Sequence, residues 1–129
     1  SLYIQLPEGK SYEDKHIFGI CEAETVKLVG VIDAILGYPE LGTLTLGLFL
    51  IVPEYRRRGI GKKVIALLEE WSREQGLSVI RVGVHEVAED AMRFWERVGF
   101  RSTGQTSRDG TRTVIILEKP LCKAANDGI

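Results

Sequence analysis

The chain has 129 residues, 44% of them hydrophobic, enough for one domain with a buried core. Its formal net charge is −1, so no global positive field marks it as a binder of nucleic acid or of an acidic membrane surface. Cys21 and Cys122 match no metal-ligand spacing and read as two thiols in a reducing cytoplasm, with a single disulfide as the alternative. The longest apolar run, 44 to 52, is too short to cross a bilayer as a helix, and no signal peptide is visible. Ser1 stands where an initiator Met would be, as expected of a fragment or a processed chain.

In chain order, "KHIFGICE" (15–22) and "VKLVGVIDAIL" (26–36) read as strands joined by a polar turn at 22–25. "GYPELG" is a loop. "TLTLGLFLIV" (43–52) is a third strand, nearly all apolar, which predicts a central position covered on both faces; Pro53 ends it. Apolar residues at Ile60, Val64, Leu67, Leu68 and Trp71 lie on one helical face, predicting a helix from about Ile60 to Gln75 that stops at Gly76. "LSVIRVGVH" (77–85) is a β-branched strand. A second helix carries Ala88, Ala91, Trp95 and Val98 on one stripe and is closed by Gly99. A hairpin pairs 100–105 with 111–117 across "SRDG", and the tail "KAANDGI" is polar. The sum is a single α/β (α+β) domain spanning 1–129, with a core over 10–118 and a strand–loop–helix at its centre.

The most informative stretch is "YRRRGIGKK" (55–63). It crowds Arg56, Arg57, Arg58, Lys62 and Lys63 around Gly59 and Gly61, at the positive end of the first helix. No Ser, Thr, Asp or Asn stands there to cap the free backbone N–H groups. Such a start is an anion site waiting for its ligand, and the glycines let backbone approach that ligand closely. A solvated basic turn is the plainer reading. The phosphate loop of nucleotide hydrolases is excluded, because Arg56 replaces its first glycine and Lys63 its Ser/Thr. The dinucleotide fingerprint fails where Val64 replaces its third glycine.

What remains is Arg-x-x-Gly-x-Gly after "LFLIVPEY", which resembles the acyl-CoA pyrophosphate loop of the GNAT superfamily of N-acetyltransferases. "LFLIVPEYRRRGIGKKVIALLEEW" is similar to that family's central strand, loop and helix. "AMRFWERVGF" is similar to its second signature, and "LVGVIDAI" to the strand that precedes the central one. The resemblance implies a mixed, mostly antiparallel sheet with two main helices and acetyl-CoA as cofactor. It also implies direct attack by an amine acceptor in a ternary complex, with no protein nucleophile and hence no role for the cysteines. Leu50, Ile51 and Val52 would offer backbone groups to the pantetheine arm and an N–H to polarise the thioester carbonyl. Arg57, Arg58, Gly59, Ile60, Gly61, Lys62 and Lys63 would hold the pyrophosphate, and Ala91 and Trp95 would lie against the cofactor.

Two positions and the length before residue 10 depart from the family's pattern. Ala88 stands where an Asn usually touches the pantetheine arm. Trp95 stands where a Tyr commonly protonates the departing thiolate, and indole offers only an N–H donor. The strand and helices that normally precede residue 10 are expected to be missing. Without them, an exposed apolar edge over 15–36 predicts a homodimer.

For the general base, His85 and then Glu86 end the strand before the second helix, where the thioester is expected. Capping that helix is the plainer reading of His85, and solvation that of Glu86. Asp33, which interrupts an apolar strand, and Tyr38 and Glu40 in the following loop are candidate acceptor-binding residues; a hairpin-edge role fits Asp33 equally well. No nucleic acid, membrane or metal is implied. Two functional classes stand: an N-acetyltransferase, and a catalytically silent acyl-CoA-binding module with a regulatory or structural role.

Overall fold

The computed structural model describes residues 2–5, 15–56 and 58–122; Arg57 and the 123–129 tail lie outside the described residues. Among the described residues seven strands form one sheet: β1 (Leu2–Gln5), β2 (Lys15–Glu22), β3 (Leu28–Leu36), β4 (Thr43–Ile51), β5 (Val79–His85), β6 (Arg101–Asp109) and β7 (Arg112–Pro120). Their spatial order is β1-β2-β3-β4-β5-β7-β6. Every neighbouring pair is antiparallel except β4 and β5. A parallel pair needs a long crossover, and α1 (Ile60–Glu74) supplies it; α2 (Glu89–Arg97) links β5 to the β6–β7 hairpin.

Helix α1 forms where the apolar spacing placed it. Val64, Ile65, Leu68 and Ser72 are buried along one stripe, and Gly76 ends the helix at φ +77°. Both helices rest on the same face of the sheet. Phe18, Ile32 and Phe49 form one row across β2, β3 and β4. Trp71 of α1 packs edge-on against Phe18, and Phe94 and Trp95 of α2 pack against Phe49.

Several expectations are corrected. The chain does carry an N-terminal strand: β1 pairs with β2, from Leu2 opposite Glu22 to Gln5 opposite Gly19. The outer edge of β2 is therefore covered by the chain itself, which removes the ground for expecting a second copy there. Strand β4 is central, but only one face of its second half is covered, and Leu48 and Leu50 are exposed. The hairpin strands are longer than their composition suggested, and the chain turns at Gly110 and Thr111, between Asp109 and Arg112, with Gly110 at φ +62°. Finally, Val26 belongs to the turn before β3: its N–H bonds to the Glu22 carbonyl at 2.8 Å and its φ is +58°.

Candidate active-site cleft

The site begins with a bulge. Asp33 of β3 pairs with Leu48 and Ala34 pairs with Leu46, so Gly47 is an extra residue in β4. Leu44 and Leu46 point into the core before the bulge, Phe49 and Ile51 after it. Partnership with β5 ends at the same place, since the parallel ladder covers only Thr43–Leu46 against Val79–Val82. Beyond it the two strands diverge.

The divergence opens a cleft of about 660 Å³, within the range of small-molecule sites. Its walls are β4 from Leu46 to Ile51, Val82 and Gly83 of β5, and Ala91, Phe94 and Trp95 of α2. Among the described lining residues only Arg56 and Asp90 are charged.

Backbone polarity in the cleft follows from one hydrogen bond. The Val52 N–H donates to the Val29 carbonyl at 2.9 Å, so Val52 faces β3. In an antiparallel ladder that orientation repeats every second residue. Leu50, opposite Val31, therefore also turns its N–H and C=O to β3, whereas Phe49 and Ile51 turn theirs toward the cleft. The Ile51 carbonyl is already taken by Arg56 Nε at 2.9 Å, and the Val52 carbonyl by the Tyr55 N–H at 3.0 Å. Phe49, absent from the sequence-derived site, is thus the residue with both groups facing the cleft. Leu50 lines it by its side chain.

At the mouth of the cleft stands the start of α1. Gly59 occupies the N-cap at φ +73°, in the left-handed region, with no side-chain cap and no acidic residue in the first turn. Arg58 stacks over the Tyr55 ring, 5.4 Å from its centroid. Gly61 is required for a second reason that composition alone did not reveal: a Cβ there would lie 2.8 Å from Phe94 Cε1. The helix start can thus approach α2 and the cleft only if residue 61 has no side chain.

Trp95 is both core and cleft. It is buried and packs edge-on against Phe49, Phe94 and Phe100 at centroid separations of 5.3, 5.1 and 4.9 Å. Ala91 lines the cleft one helical turn earlier, and Ala88 is the N-cap of α2.

The remaining candidates divide by position. His85 lies two residues beyond Gly83 and so projects to the same face of β5. Its Nε2 is 3.3 Å from Asp109 Oδ2, while its Nδ1 is buried without a partner among the described residues. Glu86 is exposed, and its N–H donates to the Thr113 carbonyl at 3.0 Å. Asp33 sits beside the bulge, its Oδ1 3.7 Å from where a Gly47 Cβ would be, and pairs with Lys15 at 3.1 Å. Tyr38 and Glu40 precede the opposite end of β4, and neither lines the cleft. Neither cysteine is in a disulfide; Cys21 is buried and Cys122 exposed. Among the described residues there is no cluster able to hold a metal ion, and no helix is long and apolar enough to cross a membrane.

Residues 2–100 match the model of the acetyltransferase (GNAT) family, and the chain belongs to that family. Human N-acetyltransferase 8 is 32% identical over 102 residues, covering 75% of this chain and 44% of the relative. The tRNA(Met) cytidine acetyltransferase TmcA of Thermococcus sp. (strain AM4) is 38% identical over 85 residues, 58% of this chain and 10% of that protein. The chain thus spans less than half the length of either relative. Among solved structures, a Bacillus subtilis acetyltransferase in complex with CoA superposes with a TM-score of 0.75 at 15% identity, over 95% of this chain and all of that one. A family member from Elizabethkingia anophelis with acetyl-CoA bound has the same TM-score at 11% identity, covering 93% and 98%. At these identities the likeness is one of fold, a mixed seven-stranded sheet with two helices.

Proposed function

We propose that the domain is an N-acetyltransferase that moves an acetyl group from acetyl-CoA to an amine by direct attack in a ternary complex. One observation carries the reading: the strand divergence, with backbone groups facing it, runs into an uncapped, cation-flanked helix start. Acetyl-CoA has two ends with matching needs, an anionic pyrophosphate and an apolar arm ending in a thioester. The residues present fit both. The first-turn N–H groups of α1, with Arg58, Lys62 and Lys63 around them and Arg57 as an expected addition, suit the pyrophosphate. The apolar walls formed by Leu50, Ala91, Phe94 and Trp95 suit the arm, and the N–H groups of Phe49 and Ile51 suit the thioester carbonyl.

The cofactor supplies an activated acyl group. The amine nitrogen forms its bond to the acetyl carbon as the carbon–sulfur bond breaks, and the sulfur leaves with that electron pair. An ammonium acceptor must give up one proton before attack and another afterwards; one returns to the sulfur and the other is released. His85 is assigned as the base, since it shares a sheet face with Gly83 of the cleft wall and its Nδ1 is buried without a partner among the described residues. Glu86, turned to solvent, is the weaker candidate. Trp95 cannot supply a proton, so the proton that returns to the sulfur is carried by water or by another group. Two cysteines outside any disulfide fit a reducing, cytoplasmic setting.

The test is release of free CoA thiol from acetyl-CoA across a panel of amines, with His85→Gln beside the wild type. Amine-dependent release, lowered roughly 10²–10⁴-fold by that substitution, supports the assignment. Binding of acetyl-CoA without release for any amine would support a silent acyl-CoA-binding module instead.

A further inference from the structure

The face of the sheet turned away from both helices carries an unusual arrangement. Across β2, β3 and β4 the register builds three rows: Lys15, Ile35 and Thr45; Ile17, Asp33 and Leu48; Gly19, Val31 and Leu50. All nine side-chain positions project from the same side, because the Gly47 bulge restores the phase of β4 after Thr45. Asp33 is the centre of this grid. Around it Ile17, Ile35, Leu48 and Leu50 are 39–48% exposed, although each is a large aliphatic residue. Asp33 itself is less open, with a side-chain exposure of 24%. A carboxylate enclosed by aliphatic side chains needs a cation, and Lys15 provides one from the edge of the grid at 3.1 Å.

The grid is continuous with the cleft. Leu48 and Leu50 belong to both, and Asp33 adjoins Gly47, which lines the cleft where β4 and β5 part. Resting on the reading above, we propose that this grid is the floor of the acceptor site and that it selects an alkyl ammonium. Asp33 pairs with the cationic nitrogen while the hydrocarbon body covers Leu48, Leu50, Ile17 and Ile35. The charges here argue against an anionic acceptor: Lys15, the cation of the grid, is already neutralised by Asp33. Asp33 binds and selects, and proton removal is left to the base. Lys15 then acts as an internal competitor that holds the carboxylate until an acceptor ammonium displaces it.

The competitor role gives the test opposite signs. Binding of hexylamine, ethanolamine and phosphoethanolamine is measured by saturation-transfer NMR on the CoA-saturated domain, and acetylation of each by thiol release. Hexylamine should bind and react best. Asp33→Asn should weaken hexylamine roughly tenfold or more, the loss expected for one charge-assisted contact. Lys15→Gln should strengthen it severalfold, and neither substitution should change acetyl-CoA affinity by calorimetry. Preference for ethanolamine or phosphoethanolamine, no hexylamine binding, or Lys15→Gln weakening binding as Asp33→Asn does would overturn the proposal. If acetyl-CoA itself does not bind, the acetyltransferase reading fails. Hexylamine binding to the cofactor-free domain then still decides whether the floor takes an alkyl ammonium.

Discussion

The two helices begin in the same chemical predicament and resolve it differently. Neither N-cap, Gly59 of α1 or Ala88 of α2, offers a side-chain hydrogen bond. Helix α2 places Glu89 and Asp90 in its first turn, so its own carboxylates meet the positive end of the dipole. Helix α1 has no acid in its first turn and adds Lys62 and Lys63 to it. One end is electrostatically complete and the other is complementary to an anion from outside. The contrast teaches that a missing cap is informative only together with the charges around it.

The largest effect expected from breaking this contrast is at Gly61. Gly61→Asp puts a carboxylate in the first turn and a Cβ into Phe94, which a Cβ would approach to 2.8 Å. Calorimetry should show acetyl-CoA affinity falling by roughly a hundredfold or more, from an expected micromolar dissociation constant. Equal affinity would remove the anion-site argument.

Next comes the wall that both helix starts share. Trp95→Ala should cost about 3–5 kcal/mol of stability by denaturant unfolding, since the ring is buried among Phe49, Phe94 and Phe100. Trp95→Tyr should keep the fold, and thiol-release assays should show a raised turnover number if thiolate departure limits the rate. Activity only in the Tyr variant would mean that the wild-type indole has silenced the site.

The third prediction sharpens the contrast by giving α1 what α2 already has. Lys62→Glu should stabilise the free protein by about 0.3–1 kcal/mol in thermal unfolding, by satisfying the helix dipole. The same change should weaken acetyl-CoA binding in calorimetry. If stability and affinity rise together, the cations are not there for a ligand.

A smaller effect is expected at Val26, whose φ of +58° is unfavourable for a β-branched residue. Val26→Gly should stabilise by about 1 kcal/mol in denaturant unfolding, because glycine adopts this region without steric cost.

How much of this was legible in the sequence depends on whether the signal was local. The two helices were legible because α1 keeps its apolar stripe and ends at Gly76, and α2 ends before Gly99. The loop was legible because Gly59, Gly61 and the cations are contiguous. The β4 bulge was not: nothing in "TLTLGLFLIV" distinguishes Gly47 as an extra residue. Without it, Leu48 and Leu50 pass for core, and Leu50 joins Ile51 and Val52 as a residue whose backbone would meet an acyl-CoA arm. β1 was missed because four residues of strand carry too little pattern, and its identity comes from pairing with β2. Gly61 was recognised as permissive backbone, yet its contact with Phe94 is a tertiary fact. Tyr38 and Glu40 were drawn toward the site by closeness in sequence to β4, but they precede the strand and the cleft opens near its other end. Arg56 was visible as the first residue of the glycine motif, whereas its bond to the Ile51 carbonyl depends on the turn at Pro53–Tyr55.

On the proposed function, acetyl-CoA is held by the start of α1 and by the free side of β4 together. Amide chemical-shift mapping on titration with acetyl-CoA tests it most directly. Saturable shifts are expected at Gly59 to Lys63 and at Phe49 and Ile51, with the amides at the start of β4, from Thr43 to Thr45, left unmoved. Saturable binding that leaves the α1 start unmoved, or no binding at millimolar acetyl-CoA (a level well above the expected dissociation constant), would contradict it.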